Sequence, residues 1–242
     1  LDPDDPGRYQ SAIDALSRCP CDQLILAGDV FEAWIGDDGI TELDAQFLEF
    51  CGAHSQDTVF IHGNRDFLIS PELLSRHNIR LIDCIATKEL IVIHGDELCT
   101  LDQAYQNFKK EVREPSWIAS FLQKPLAERQ AIAKNLRQAS RETQANRADA
   151  IGDAVDSEVS QLLQEYGCNL LIHGHTHRPG IHQQFAGLRA VTSDWGHSGI
   201  GVLIETADHQ QDVCLYRLAP DHFELLECWS YAAGTPEWKR NS

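Results

Sequence analysis

The stretch that most clearly indicates the fold is residues 170–177, which read Leu170-Leu171-Ile172-His173-Gly174-His175-Thr176-His177. A short apolar run that ends in glycine and ligand-type side chains is typical of a buried β-strand that ends at one edge of a sheet. Three earlier runs have the same form, namely Leu24-Ile25-Leu26-Ala27-Gly28-Asp29, Val59-Phe60-Ile61-His62-Gly63-Asn64 and Leu90-Ile91-Val92-Ile93-His94-Gly95-Asp96. Together they predict an α/β fold whose chemistry lies at one sheet edge, where open α/β folds bind their ligands.

The polar side chains at the ends of these runs form a set of oxygen and imidazole ligands: Asp29, Asn64, His94, His175 and His177. The set contains no thiolate, so it favours Mn, Fe, Zn or Mg over a cysteine-bound zinc or iron–sulfur site. A single buried histidine is more often a core residue, but four glycine-flanked cases in series predict a metal site. Because Thr176 separates His175 from His177, an extended backbone there would direct both imidazoles to the same side.

The composition is that of an ordinary globular protein with an excess of acidic residues. The 242 residues are 43% hydrophobic, have a formal net charge of −17, and suffice for one large α/β domain. The negative charge disfavours a nucleic-acid partner, because phosphates would be repelled. No apolar run approaches the ~20 residues of a membrane span and no charged-then-apolar leader opens the sequence, which favours a cytoplasmic location. The eight cysteines lack the spacing of a disulfide scaffold and several lie in apolar runs, so buried free thiols are expected.

Helix and strand patterns alternate through residue 100 and then give way to helical patterns alone. Helices are predicted near 8–18, 41–53 and 71–77, and strands end at Asp29 and Asn64 and cover 79–85 and 89–94. Ser70-Pro71-Glu72 is typical of a helix start, with Ser70 as the cap. A helical segment at 101–147, a helix near 153–166 and short strands over 181–227 follow. This order predicts a layered α/β sandwich with a helical insert.

The insert differs in charge from the rest of the chain. Residues 109–147 contain nine Lys or Arg and four Glu, which is a net +5, while the remaining residues total −22. Aromatic and aliphatic residues are mixed with these bases. A solvated helical face and an element that binds phosphate or a membrane surface are both compatible with the pattern.

The four strand-end blocks, in their order along the chain, resemble those of the calcineurin-type metallophosphoesterases. The longer blocks are Gly28-Asp29-Val30-Phe31-Glu32-Ala33-Trp34-Ile35-Gly36-Asp37-Asp38, His62-Gly63-Asn64-Arg65-Asp66-Phe67-Leu68, His94-Gly95-Asp96-Glu97-Leu98-Cys99-Thr100-Leu101-Asp102 and Ile172-His173-Gly174-His175-Thr176-His177-Arg178-Pro179. They are similar to the branch of that superfamily that cleaves UDP-2,3-diacylglucosamine in lipid A biosynthesis. The similarity spans about residues 1–218, insert included.

The resemblance implies a single metallophosphoesterase domain over residues 1–242, a four-layer α/β/β/α sandwich with a helical cap inserted at 101–147. It implies hydrolysis of the pyrophosphate to UMP and 2,3-diacylglucosamine 1-phosphate, with a hydroxide held between two Mn²⁺ ions attacking the α-phosphorus. The implied partners are the lipid-linked UDP-sugar and the cytoplasmic face of the inner membrane, to which the protein would bind peripherally. No nucleic acid is expected, and no protein partner is indicated.

The resemblance also implies roles for individual residues. Asp29 would bridge both metals, Asn64, His94 and His175 would complete one, and His177 would bind the other. Substrate contacts would come from Asn64, Arg65, Asp102, Ser140, Gln144, Arg147 and His175, and the catalytic set would be Asp29, Asn64, Arg65, His94 and His175. In the wider superfamily a histidine acid often stands where this chain has Arg65. A fixed guanidinium stabilises charge on a good leaving group without proton transfer, and a surface ion pair is the alternative role for Arg65.

In the resembled family a strand ending in Asp-x-His comes first and supplies two ligands to one metal. This sequence contains neither that block nor any methionine, so we expect the natural chain to begin upstream of Leu1 with such a strand. Two alternatives to the lipid pyrophosphatase stay open: a metallophosphoesterase of a soluble phosphodiester, and a catalytically inactive lipid-binding homologue. The basic, apolar insert distinguishes the first alternative, because a lipid enzyme needs apolar surface near its metals.

Overall fold

The computed structural model of the chain describes residues 1–146, 149–184, 186–196, 198–207, 210–232 and 237–241, with side chains except at positions 141, 143–146, 149 and 150. The helices in these ranges are α1 (Pro6–Ser17), α2 (Glu42–His54), α3 (Pro71–Arg76), α4 (Gln103–Val112), α5 (Pro115–Leu122), α6 (Leu126–Asn146) and α7 (Asp156–Tyr166). The strands are β1 (Gln23–Leu26), β2 (Asp57–Ile61), β3 (Ile79–Ile82), β4 (Ile85–Ala86), β5 (Ile91–Val92), β6 (Leu170–His173), β7 (Gly180–Gln184), β8 (Gly187–Val191), β9 (Gly199–Ala207), β10 (Gln210–Leu218), β11 (Phe223–Ala232) and β12 (Lys239–Arg240).

The described strands form three sheets. β1, β2 and β3 are parallel neighbours in one sheet, a second has the order β4-β5-β6-β8-β7, and an antiparallel sheet has the order β12-β11-β10-β9. β1 and β9 are edge strands within the described part of the chain. The parallel pairs β1–β2 and β5–β6 direct their carboxyl ends to the loops that contain the predicted ligands. The expectation of a single sheet edge is wrong, because the two pairs belong to different sheets.

Side chains alternate between the two faces of the central strands, as the two-residue period of a strand requires. In β6, Leu170 and Ile172 pack in the core between the sheets, whereas Leu171 packs against α7. In β2, Phe60 faces α1, α2 and α3, and its neighbour Ile61 faces the core between the sheets. The order is helices, sheet, sheet, helix, which confirms the predicted α/β/β/α sandwich.

The start of α3 confirms the predicted cap. The Ser70 side chain accepts a hydrogen bond from the Leu73 backbone N–H (3.0 Å), and Pro71 occupies the first helical position. This bond satisfies one of the N–H groups that the first helical turn leaves without a partner.

Residues 103–146 are helical apart from short turns, as the sequence predicts, and form α4, α5 and α6. Among the helices that the structure describes, none combines the length and the apolar character that crossing a bilayer requires.

Two expectations about the C-terminal half are wrong. Short strands were expected over 181–227, but β9, β10 and β11 are nine or ten residues long. Their length follows from their pairing along most of each strand in an antiparallel sheet. Free thiols were expected throughout, but Cys214 and Cys228 form a disulfide, because the β10–β11 register places them directly opposite each other. The other six cysteines are free, as expected, but only Cys51, Cys99 and Cys168 are buried.

Candidate metal centre

The loops that follow β1 and β2 approach each other closely because both contain glycine. A Cβ atom on Gly63 would collide with the backbone nitrogen of Asp29, and one on Gly28 would lie 2.6 Å from His94 Nδ1. Gly28 also has φ +81°, which side-chain-bearing residues rarely adopt. Glycine at both positions therefore allows the Asp29 and Asn64 loops to meet beside His94.

Backbone strain is concentrated on the predicted ligands. Four non-glycine residues in the described ranges have positive φ, and three of them are Asp29 (φ 55°), His175 (φ 57°) and His177 (φ 53°). Such conformations cost free energy and are found mainly at functional sites. The expectation of an extended segment at 175–177 is wrong, because two left-handed residues bend it, so His175 and His177 do not point the same way by strand alternation.

Four of the five predicted ligands meet at one point. Ligand atoms of Asp29, His94 and His175 all lie within 4.8 Å of one another. Asn64 Oδ1 lies between the two rings, 3.1 Å from His94 Nε2 and 2.9 Å from His175 Nδ1. One carboxylate, one amide oxygen and two imidazoles are a donor set that suits a hard or borderline divalent cation.

The surroundings of His94 favour a positive charge at this point. Its Nδ1 donates to the Ala27 carbonyl oxygen (3.0 Å), so Nε2 faces Asn64 Oδ1 and Asp29 Oδ1, which is 3.7 Å away. Burial lowers the pKa of His94, but the carboxylates of Asp29 and Asp96 outweigh burial, and the pKa is raised. A neutral Nε2 would place one lone pair against two oxygen atoms, and either a proton or a cation relieves that repulsion. The residues present therefore fit a metal ion.

His175 is held in the neutral form that binds metals. Burial, reinforced by the charge of His94, lowers the pKa of His175 to about 3. Its ring packs edge-on against His94 with centroids 5.1 Å apart, and against Tyr105 at 5.4 Å. The Tyr105 hydroxyl donates to Asp96 Oδ2 (2.5 Å), and this bond fixes the Tyr105 ring beside His175.

Asp66 connects the two loops that hold Asp29 and Asn64. Its carboxylate is fully buried and accepts hydrogen bonds from the Val30 N–H (2.7 Å) and the Gly63 N–H (2.8 Å). One side chain therefore sets the separation of the two loops. Asp66 was not among the predicted site residues, because its bond to Val30 joins positions 36 residues apart.

Arg65 lies beside the ligand cluster, in ion pairs that are partly shielded from solvent. Its Nε is 3.3 Å from Asp29 Oδ2, its Nη1 is 3.2 Å from Glu32 Oε2, and its side chain is 23% exposed. Glu32 was not among the predicted site residues, and its ion pair with Arg137 on α6 was not predicted either. No local signal predicts a pair that is 105 residues apart in the chain.

Three of the remaining predicted residues, His177, Asp102 and Ser140, lie outside the cluster. His177 Nδ1 lies 3.6 Å from Asp194 Oδ1. Asp102 is buried and caps α4, where its side chain accepts a hydrogen bond from the Tyr105 N–H (3.1 Å). Ser140 is exposed on α6. The Gln144 side chain and the whole of Arg147 fall outside the described part of the chain. The roles of these residues stay predictions.

Comparison with known proteins identifies the family. The sequence profile of the calcineurin-like phosphoesterases matches residues 5–179. A UDP-2,3-diacylglucosamine hydrolase of Chromohalobacter salexigens is 41% identical over 170 residues, 67% of this chain and 69% of that protein. Enzymes of the same name from Aeromonas hydrophila and Xanthomonas campestris are 40% and 36% identical, and cover 74% and 82% of this chain and 79% and 89% of their own lengths. With a profile match over more than half of its length, the chain belongs to the calcineurin-like phosphoesterase family.

Proposed function

We propose that this chain hydrolyses the pyrophosphate bond of UDP-2,3-diacylglucosamine, giving UMP and 2,3-diacylglucosamine 1-phosphate, as a step of lipid A biosynthesis. The observation that carries the proposal is the match to relatives named UDP-2,3-diacylglucosamine hydrolase at 36–41% identity over 67–82% of the chain. The converging ligands of the candidate metal centre support it, because a phosphoesterase of this family requires divalent metal ions.

We propose Mn²⁺ as the metal and two ions as the complement, with Asp29, Asn64, His94 and His175 as ligands of one ion. Asp29 and His177 would contribute to the other. The bound ions would supply charge neutralisation of the phosphoryl oxygens and a nucleophilic hydroxide at neutral pH. Mixed oxygen and imidazole donors without sulfur support Mn²⁺, which prefers such ligands to thiolates.

The chain's own residues then perform two tasks. The His94 Nδ1–H···O=C bond to Ala27 fixes the ring so that Nε2 faces the centre, as partners of metal-binding histidines commonly do. Arg65 presents a guanidinium at the same edge, where it stabilises negative charge on the phosphoryl group and on the departing sugar 1-phosphate. The leaving group is already anionic near neutral pH, so this role requires no proton transfer.

We propose that residues 101–147 form the acyl-chain cap. Helices α4 to α6 and the turn before them expose large apolar side chains: Leu101 is 56% exposed, and Phe108, Leu122 and Leu136 are each 40% exposed. Exposed apolar groups among bases are typical of a surface that binds lipid or an anionic membrane. This supports acyl binding by the cap and peripheral association with the cytoplasmic face of the inner membrane. Ser140, Gln144 and Arg147, together with Asp102, would contact the head group.

Hydrolysis in ¹⁸O-labelled water tests the proposal. Purified protein with Mn²⁺ and UDP-2,3-diacylglucosamine in detergent should yield UMP and the diacyl sugar 1-phosphate, with the label in UMP because the α-phosphorus is attacked. Label in the sugar phosphate would contradict the proposed site of attack. Hydrolysis of bis(p-nitrophenyl) phosphate without turnover of the lipid would favour a soluble phosphodiester substrate, and binding without turnover of either would favour an inactive lipid-binding homologue.

A further inference from the structure

An alternating row of charged side chains connects the candidate metal centre to helix α6. Arg65 Nε lies 3.3 Å from Asp29 Oδ2, and Arg65 Nη1 lies 3.2 Å from Glu32 Oε2. Glu32 pairs in turn with Arg137, whose guanidinium also donates to the Glu32 backbone carbonyl oxygen. From the sheet edge to α6, the order is therefore carboxylate, guanidinium, carboxylate, guanidinium.

The row is partly shielded from solvent. The side chains of Glu32, Arg137 and Arg65 are 18%, 21% and 23% exposed. Ion pairs in such positions are screened less by salt than pairs on an open surface. Arg65 and Glu32, in the middle of the row, each contact an oppositely charged group on both sides. Removing either one therefore deprives two charged side chains of a partner.

The backbone of Arg65 is held by bonds that do not involve the Glu32 side chain. The Arg65 N–H donates to Asp29 Oδ1 (2.8 Å), and the Arg65 carbonyl oxygen accepts from the Trp34 N–H (2.7 Å). The Glu32 carboxylate, by contrast, contacts the Arg65 guanidinium. Loss of this carboxylate is therefore expected to move the end of the Arg65 side chain while leaving the backbone of the loop in place.

Helix α6 is docked on the same segment at two points. Arg137 follows Arg129 by eight residues, which is about two helical turns. Arg129 is 2% exposed and donates to the Ile35 carbonyl oxygen and to Asp38, so both arginines contact residues 32–38. The placement of Glu32 is therefore connected with the docking of the helical insert.

We infer that Glu32 is a positioning residue for Arg65, and that Arg137 makes this positioning depend on the docking of α6. The inference rests on the proposed function, in which Arg65 stabilises charge on the phosphoryl group. A carboxylate engaged as a metal ligand has less charge available for a neighbouring guanidinium, so Asp29 alone would hold Arg65 weakly. Glu32 keeps the Arg65 guanidinium in place when Asp29 binds a metal ion.

A double-mutant cycle on the full chain tests the inference. Glu32→Gln is expected to lower kcat about 10- to 100-fold, as loss of a supporting group commonly does, with KM within about twofold of wild type. Arg65→Ala is expected to lower kcat about 100- to 1000-fold. Since Glu32 acts through Arg65, the double variant should be no slower than Arg65→Ala. Arg137→Gln should also lower kcat, whereas Lys88→Gln, which removes an exposed charge outside the helical insert, should leave kcat unchanged.

A second readout requires neither metal nor substrate. In metal-free protein with ¹⁵N-labelled arginine, the signal of the Arg65 Nη1–H group, which faces Glu32, should be protected from exchange in wild type and Lys88→Gln but not in Glu32→Gln. The signal is assigned with Arg65→Lys. Glu32→Asp keeps the carboxylate on a shorter side chain, so the protection of Arg65 in this variant should lie between those of wild type and Glu32→Gln. Glu32→Asp replaces Glu32→Gln if the latter does not fold. Additive losses of kcat in an active enzyme, or unchanged protection in Glu32→Gln, would overturn the inference. A folded wild type that does not cleave the lipid would instead reject the proposed function.

Discussion

Replacement of Asp66 by asparagine should loosen the centre without removing a ligand. The fully buried carboxylate accepts two short backbone hydrogen bonds, from Val30 (2.7 Å) and Gly63 (2.8 Å). Hydrogen bonds to a charged group contribute about 1.5–3 kcal/mol each. Asparagine has one acceptor oxygen, and its amide group would face the other N–H, so Asp66→Asn loses at least one bond.

The neighbouring charges partly offset this loss. Burial and the Asp29 carboxylate raise the pKa of Asp66 to about 6, so removing the negative charge also relieves repulsion with Asp29. We therefore expect a net destabilisation of about 2 kcal/mol, near the lower end of the range for one lost bond. For a chain of this size that corresponds to a fall in Tm of about 4–8 °C.

Thermal unfolding in EDTA, followed by Mn²⁺ titration calorimetry, measures both consequences. Since Asp66 sets the separation of the Asp29 and Asn64 loops, the affinity for Mn²⁺ should fall about 10-fold. Asp57→Asn is the matched control, because Asp57 pairs with Arg80 at a position where the two side chains are 36% and 60% exposed. Its cost should be below about 1 kcal/mol, with unchanged Mn²⁺ affinity. A Tm of Asp66→Asn equal to that of the control would refute this reasoning.

Three further predictions address the ligands and the helical insert. His94→Ala and Asn64→Ala should each weaken Mn²⁺ binding and turnover while circular dichroism shows a folded protein; full metal occupancy in either variant would show that the residue is not a ligand. Shortening the acyl chains of the substrate should lower kcat/KM far more than added salt does, since each buried methylene contributes about 0.8 kcal/mol and each nearby base at most about 1 kcal/mol. Equal turnover of a deacylated UDP-sugar would contradict the cap as a lipid site. Arg129→Met should increase amide exchange in α6, because the Ile35 carbonyl and Asp38 lose their donor, and unchanged protection would argue against this anchor.

Local pattern was sufficient for most of the architecture. Unbroken apolar runs such as Leu170-Leu171-Ile172 reflect burial on both faces of a strand, and the structure places their side chains in two different cores. The Ser70-Pro71 helix start was equally local, because a cap involves only residues within one turn. The prediction of an extended backbone at residues 175–177 was wrong, since left-handed φ at a histidine is uncommon and persists only where the surrounding structure imposes it.

The sequence by itself therefore determined the sandwich, the helical insert and the ligand residues Asp29, Asn64, His94 and His175, because each of them follows the carboxyl end of an apolar strand-like run. Only the tertiary structure decided that two sheets contribute these ligands, β1 and β2 from one and β5 and β6 from the other, and how their meeting point is supported. The bond from the Val30 N–H to Asp66, and the row that leads through Glu32 to Arg137, join residues that lie 33 to 105 positions apart in the chain. No periodicity or spacing encodes such contacts, since they are fixed by the packing of whole elements and not by local conformational preference.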